Sequence, residues 1–440
     1  MTQNHIDTQN INVLIFPSGS GVAKEIYDSL KYVRNINLFG GEGNDNNFTN
    51  FLFEKSIFDI PMIKDEEFFI NELNKVIDEN KINYIYPAYD IIHWFLSKNQ
   101  SKINCKVLVS DFETCNICIS KTKTYNLLKD VIDVPKFIDE DDECSYEGFD
   151  FPYFMKPDDG CGSRDSYKIS NVEEYNFYKK RVKNYILLEY LPNDEYTIDC
   201  FTNSSGKLIF SEGRQRQKTI AGMSVYTKMV TDIDFKPYAI KINEKMKFNG
   251  AWFFQMKYDK NMKLKLLEVA PRIPGAMSLY RNKGINFPLL TLRQFQGEQI
   301  DSVLINPYQI ECYKVYENKY RSNLSYNHVY IDLDDTIIIK NKVNVTVMQF
   351  LYQALNEKKE IYLITRNIFP VTKLDEYNIS VTLFNRLIVV DYNQKKSSFI
   401  TYKDSIFIDD SFKEREDVFR THNIPVFNLD MVESLLNTKY

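Results

Sequence analysis

The sequence predicts an α/β protein of more than one domain, and three observations carry that expectation. Its 440 residues exceed what a single hydrophobic core usually organises. Short apolar runs alternate with amphipathic helical stretches along residues 11–115, and the same alternation restarts after residue 328. Composition is that of a chain folded throughout, 44% hydrophobic and 26% charged, far from the polar bias of disordered segments.

Charge and unusual residues narrow the function classes. A formal charge of −5, from 55 basic and 60 acidic residues, gives no general attraction for nucleic acid or anionic membrane. The opening stretch MTQNHIDTQN has no basic-then-apolar pattern, and no run approaches the ~18 apolar residues of a membrane span. A cytoplasmic location is expected, with neither nucleic acid nor membrane insertion. Seven scattered cysteines, with the close pair Cys115 and Cys118 lacking a second pair, read as reduced structural thiols. Only four histidines are present (His5, His93, His328, His422), so the chemistry must fall to carboxylates and lysines.

In chain order, INVLIF at 11–16 is a strand, and PSGSGVAKEIYDSL after it reads as a glycine turn and an amphipathic helix. A helix around 66–79, the run INYIYPAYD at 82–90, a helix through Trp94 and CKVLVSD at 105–111 continue the alternation, which predicts a parallel sheet. SGSG does not match a dinucleotide fingerprint, so its glycines are expected only to make the turn. Residues 1–115 form the first expected domain.

From residue 116 the motifs become chemical. A helix opens with Lys121 and Lys123, and FPYFMKPDDGCGSRDSYKI at 151–169 delivers Lys156 from a strand into a loop with Gly160 and Gly162. Backbone N–H groups and one ammonium in such a loop can surround polyphosphate oxygens, although a surface turn has the same composition. A strand ending in Glu189-Tyr190-Leu191 turns at 192–194 and resumes near Glu195. GRQRQK at 213–218 sets Arg214, Arg216 and Lys218 two apart, on one face of an extended strand and suited to an anion. The stretch 252–275 reads as a hairpin carrying Gln255 and Glu268, oxygen ligands suited to magnesium, with Arg272 just beyond.

That order of lysine, glycine loop, hinge acid, arginine strand and carboxylate hairpin resembles the ATP-grasp superfamily, most closely its carbamoyl-phosphate-synthase-like and carboxylate–amine ligase members, over residues 11–325. The resemblance implies an ATP-grasp domain at 116–325 behind a Rossmann-like pre-ATP-grasp domain. It implies ATP and Mg2+ as cofactors. Lys121 and Lys156 would contact the phosphates under a loop containing Gly160, Gly162 and Ser163. Glu189, Tyr190 and Leu191 would form the adenine hinge, and Glu195 would meet the ribose. Arg214, Arg216 and Arg272 would serve acceptor and transferring phosphate, and Gln255 and Glu268 would hold metal. Where such enzymes usually read E-x-N-P-R, this chain reads Glu268-Val269-Ala270-Pro271-Arg272, without the metal-binding amide.

After the joint at 319–328, the strand at 329–331 ends in Asp332-Leu333-Asp334-Asp335-Thr336, the run at 361–364 ends in Thr365, and the run at 406–408 ends in Asp409-Asp410. Carboxyl ends of parallel strands are where an open sheet binds its ligand. Lys396, or its neighbour Lys395, precedes the third strand. This set resembles the haloacid-dehalogenase-like (HAD-like) phosphatases over residues 327–440. The resemblance implies Asp332 as nucleophile, Asp334 as general acid/base, Thr365 and Lys396 on the phosphoryl oxygens, and Asp332, Asp334 and Asp409 at magnesium, with Asp410 assisting. With 28 residues between Thr336 and Thr365 and 29 between Thr365 and Lys395, there is no room for a cap domain. The expected third domain, 326–440, is thus a small uncapped HAD-like Rossmannoid.

The combined expectation is a bifunctional ligase and phosphatase. One part joins a carboxylate, such as the sugar-nucleotide uronate of capsular polysaccharide biosynthesis, to a phosphorylated amine, and the other removes the phosphate. Alternatives are an amino-acid or peptide ligase with a by-product phosphatase, and a non-ligating nucleotide-binding module with an active phosphatase. Self-association into a homodimer is left open.

Overall fold

In the computed structural model the first apolar run, Ile11–Phe16, is the central strand of a five-stranded sheet. Described residues are 10–139, 151–159, 165–315, 317–320 and 322–437. The sheet runs Lys55–Ile57, Ile36–Gly41, Ile11–Phe16, Tyr84–Pro87, Lys106–Val107, and each neighbouring pair is parallel. Helices Gly21–Leu30 and Glu66–Asn80 supply crossovers, their entries fixed by Ser20 and Asp65, whose side chains accept from Ala23 and Phe68 N–H. Strand order reverses beside Ile11–Phe16, so the turns leaving that strand and Tyr84–Pro87 flank the crevice where such sheets bind ligands. The SGSG turn is tight for a specific reason. Gly19 N–H donates to Glu42 Oε2 (2.8 Å), and a Cβ on Gly19 would lie 2.8 Å from that same oxygen.

Two antiparallel sheets follow. One pairs Phe137–Asp139, Tyr185–Glu189, Tyr153–Pro157 and Tyr167–Ile169 in that order. The other orders six strands as Leu264–Ala270, Gly250–Tyr258, Glu195–Thr202, Leu208–Ile220, Met223–Met229 and Glu311–Tyr313. Alternation along Glu195–Thr202 and Gly250–Tyr258 buries Ile198, Cys200, Trp252, Phe254 and Met256 against helix Lys236–Lys245. The hairpin expected at 252–275 is present, and Gln255 and Glu268 face each other across it.

The chain divides into two compact units, one ending at Tyr316 and the other spanning Glu317–Thr438. The second is built on a parallel sheet ordered Arg386–Val389, Glu360–Thr365, His328–Ile331, Ser405–Ile408, Val426–Phe427. Its three most apolar strands lie side by side at the centre, with Val329, Ile331, Ile361, Leu363, Ile406 and Ile408 fully buried. Between Thr336 and Thr365 there is only a short hairpin and helix Val345–Asn356. Between Thr365 and Lys395 there are helix Pro370–Glu376, one helical turn and strand Arg386–Val389. No further domain is inserted at either place among the described residues.

Candidate active sites

In the second unit the carboxyl ends of the three central strands converge. Asp332 follows His328–Ile331, Thr365 ends Glu360–Thr365, and Asp409 follows Ser405–Ile408. The turn after Asp332 is sharp, with Asp335 in the left-handed region at φ 55, a conformation aspartate tolerates better than most side chains. Lys396, 3% exposed, opens a helical turn and places Nζ 2.8 Å from Asp332 Oδ1 and 2.7 Å from Asp409 Oδ2. Lys395 points to solvent and pairs with Asp417 (2.5 Å), so Lys396 is the lysine that faces the carboxylates.

Two buried carboxylates share one ammonium here. Burial, followed by the neighbouring Asp409, pushes Asp332 up to about 7 against the pull of Lys396. Burial also raises Asp409. Burial works against the charge on Lys396, but the two aspartates outweigh it and raise its pKa. Oxygens of Asp332, Asp409 and Asp410 lie within 4.8 Å of one another, a hard donor set that fits magnesium. Asp334, expected in that set, contributes no carboxylate to it. Its Oδ2 accepts instead from Asn367 Nδ2 at 2.9 Å, because the turn swings its side chain toward the loop after Thr365. Thr365 is buried and its Oγ1 accepts from Asn367 N–H (3.1 Å).

In the first unit the expected residues are carried by helix Lys121–Leu128 and by the strands of the four-stranded and six-stranded sheets. Along Tyr153–Pro157, Tyr153 and Met155 join one core, while Phe154 and Lys156 face helix Lys121–Leu128. Lys156 is buried and has no ion-pair or hydrogen-bond partner among the described residues. Burial, and then the nearby Lys121 ammonium, bring it down to about 7 in spite of Glu268, Glu195 and Asp158. Lys121 Nζ donates to the Asp158 carbonyl (2.9 Å). Asp158 latches the helix start to the strand end, its carboxylate accepting from Ser120 Oγ (2.5 Å) and Thr122 N–H (2.7 Å). The Asp158 latch is not legible in the sequence. Gly160, Gly162 and Ser163 lie outside the described residues.

Glu189 ends its strand with Oε1 accepting from Lys136 N–H (3.1 Å), Tyr190 lies under the Lys168 ammonium (4.5 Å), and Leu191 is buried. Glu195 pairs with Arg216, whose Nη1 also approaches Gln255 Oε1 (3.4 Å). With its amide turned to donate, Gln255 reaches Glu268 Oε1 at 3.3 Å, so Arg216, Gln255 and Glu268 form one chain of contacts.

The expectation of three equivalent cations on one strand face is corrected. Arg214 is 3% exposed and donates from Nε and Nη2 to fully buried Asp199 (2.9 and 3.3 Å), so it is a core counter-ion. An irregularity after Arg216 breaks the alternation and leaves Lys218 exposed. Only Arg216 of the three reaches the cleft carboxylates.

Arg272 is gripped by Asp90, with Nε to Oδ1 2.5 Å and Nη2 to Oδ2 2.8 Å. Asp90 begins helix Asp90–Lys98 at the mouth of the first sheet. Burial opposes its charge, but Arg272 prevails and holds the carboxyl below its ordinary range. A cavity lined by Asp90, Lys121, Asp159, Glu268, Ala270 and Arg272 opens here. Glu268, expected with Gln255 at a metal, lines this cavity together with Ala270, while the Gln255 amide is engaged by Arg216 and Glu268.

Comparison with known proteins places these features. Residues 181–317 match a family model described as "ATP-grasp in the biosynthetic pathway with Ter operon". A D-alanine–D-alanine ligase of Thermotoga petrophila is 22% identical over 211 residues, which span 45% of this chain and 66% of that ligase. N5-carboxyaminoimidazole synthetase from Staphylococcus aureus, solved with ADP, superposes with a TM-score of 0.55 at 16% identity over 67% of this chain and 80% of that one. An L-amino acid ligase from Bacillus licheniformis gives 0.53 at 16% identity over 67% and 75%. The chain contains an ATP-grasp fold.

Proposed function

We propose that this ATP-grasp chain is an ATP-dependent carboxylate–amine ligase whose second unit is a magnesium-dependent phosphomonoesterase. The observation that supports the first half is Lys156, a buried amine with no ion-pair partner among the described residues, close enough to Lys121 for each charge to oppose the other. Such a group is stabilised by a polyphosphate. The acceptor carboxylate oxygen attacks the γ-phosphorus of ATP, the bond to the β–γ bridging oxygen breaks, and ADP leaves. An amine nitrogen then attacks the acyl phosphate carbon, loses a proton, and expels phosphate to leave an amide. Lys121, Lys156 and the arginines offset the charge that gathers on the transferring phosphoryl group. Glu268 and Gln255 would hold Mg2+, which supplies further charge neutralisation when bound.

The second half rests on the Asp332–Lys396–Asp409 arrangement beside Thr365. Asp332 attacks phosphorus, Asp334 gives a proton to the leaving oxygen, and water deprotonated by Asp334 then cleaves the aspartyl phosphate. Lys396 and Thr365 hold phosphoryl oxygens, and Asp332, Asp409 and Asp410 would hold Mg2+, whose charge lets an anionic nucleophile approach. Because no domain is inserted between its motifs among the described residues, the site suits phosphate on a large molecule, in keeping with removal of phosphate from the ligation product. A sugar-nucleotide uronate and a phosphorylated amino alcohol are the substrate pair we favour.

The test is incubation with ATP, Mg2+ and panels of uronates, amino acids and phosphorylated amines. ADP release should require both partners, and Asp332→Asn should accumulate a phosphorylated amide detectable by mass. ADP release that is indifferent to amine rules out the ligase. Ala270 favours a second reading, a nucleotide-binding module that does not ligate. It predicts ADP binding with no acceptor-stimulated turnover and an intact phosphatase.

A further inference from the structure

We propose that Asn367 is a positioning residue for the proton donor of the second unit, its amide holding the Asp334 carboxylate toward the leaving-group oxygen. This inference rests on the phosphatase reading. Asn367 lies two residues beyond Thr365, in a turn that nothing in the sequence pattern marks as functional. Both ends of its amide are fixed. Nδ2 donates to Asp334 Oδ2 (2.9 Å), and Oδ1 accepts from Phe369 N–H (2.9 Å). Because one end meets a carboxylate and the other an N–H, only one orientation of the amide satisfies both. Its own N–H donates to Thr365 Oγ1 (3.1 Å), tying the turn to the side chain expected on the phosphoryl group.

The turn itself is anchored by its neighbour. Arg366 donates to Glu414 Oε1 from Nε (3.0 Å) and Nη2 (2.7 Å), and to the carbonyls of Asp391 (2.8 Å) and Gln394 (3.0 Å). Those carbonyls belong to the loop that delivers Lys396. One guanidinium thus fixes the lysine loop and the Asn367 turn together, so the distance from Asp334 to the phosphoryl site does not depend on a mobile surface loop. Asp334 is half-buried. Its second oxygen, Oδ1, takes no hydrogen bond from the described residues and is the one left to carry the proton.

In the first step Asp332 forms a bond to phosphorus, the bond from phosphorus to the leaving oxygen breaks, and the proton on Asp334 passes to that oxygen. A leaving group that is stable as an anion needs this proton little. An alkoxide needs it badly. Losing the Asn367 amide frees Asp334 to rotate away, so the damage should follow the leaving group.

The intact chain with Mg2+ is assayed on a series of phosphate monoesters from nitrophenyl to alkyl. General acid catalysis contributes about 10²–10⁴-fold, so Asn367→Ala should lose about 100-fold in kcat/KM on alkyl esters and under about tenfold on the nitrophenyl ester. Asn367→Leu, which keeps the approximate shape and removes the donor without adding a charge, should show the same slope and guards against a packing artefact. Asp334→Ala should show that slope as well, and Asp334→Ala/Asn367→Ala should lose no more than Asp334→Ala alone. Equal losses across the series, or additive losses in the double variant, overturn the role of Asn367 and leave the phosphatase standing. Absence of any hydrolysis that Asp332→Asn removes overturns the phosphatase reading and this inference with it.

Discussion

Replacing Lys396 by Met keeps the length of the side chain and deletes the one charge that Asp332 and Asp409 share. In the folded chain that ammonium sits 2.8 and 2.7 Å from carboxylates that are themselves almost fully buried. Removing one member of a buried ionic cluster typically costs about 3–5 kcal/mol, because the remaining charges lose their compensation. Burial already raises both aspartates, so the variant can relieve part of the strain by taking up a proton, and the low end of that range applies. For a folding unit of this size about 3 kcal/mol corresponds to a fall in Tm of about 10 °C. Magnesium should reverse the loss. Oxygens of Asp332, Asp409 and Asp410 remain within reach of one cation, and that cation no longer competes with an ammonium. A ligand at a hundredfold excess over its Kd adds about 2.7 kcal/mol, nearly the whole deficit. Calorimetry of the intact chain with and without Mg2+ measures this, with Lys395→Met as the control that should move nothing. An apo Tm unchanged by Lys396→Met, or a Mg2+ shift no larger than in the unsubstituted chain, refutes the shared-ammonium account.

Three further outcomes are expected. Lys156, brought down to about 7, is largely neutral above that pH, and bound phosphates favour its charged form. ADP binding at pH 8 should therefore take up close to ~1 proton, and affinity should weaken as pH rises above about 7, which calorimetry in buffers of different ionisation enthalpy reads directly. Lys156→Met should abolish the uptake. Ala270→Asn places an amide oxygen in the cavity beside Glu268 and should tighten Mn2+ binding in the presence of ADP, followed by paramagnetic resonance; an unaltered spectrum counts against a metal there. Asp199→Ala strands the buried Arg214 and should cost about 3–5 kcal/mol in denaturant unfolding, while Asp199→Ala/Arg214→Met should recover most of it.

Much of the second unit's site was legible because its residues are announced locally. Each of Asp332, Thr365 and Asp409 stands at the carboxyl end of an apolar run, and a parallel sheet brings such ends together whatever the loops do. The choice between Lys395 and Lys396 was not legible. Adjacent residues differ only in the direction their backbone sends them, and the helical turn beginning at Lys396 decides it. Asp90 is hidden by distance along the chain, since it begins a helix 182 residues before its partner Arg272. Asp158 and Asn367 carry no local signal, because an Asp or Asn in a turn is ordinary and only a partner brought in by tertiary structure gives either one a task.

Arg214 and Arg216 show why facing direction alone does not identify a binding group. Alternation put both on one face, as the spacing predicted. Their neighbours on Glu195–Thr202 then divided them. Arg214 meets Asp199 in the interior, where the pair is desolvated and neither charge is free for a ligand. Arg216 meets Glu195 beside Gln255 and Glu268, and that pair stays partly open to solvent. Whether a cation serves a site is thus set by the acid across the sheet and by the depth of that pair, and both depend on the register of a strand the local sequence does not contain.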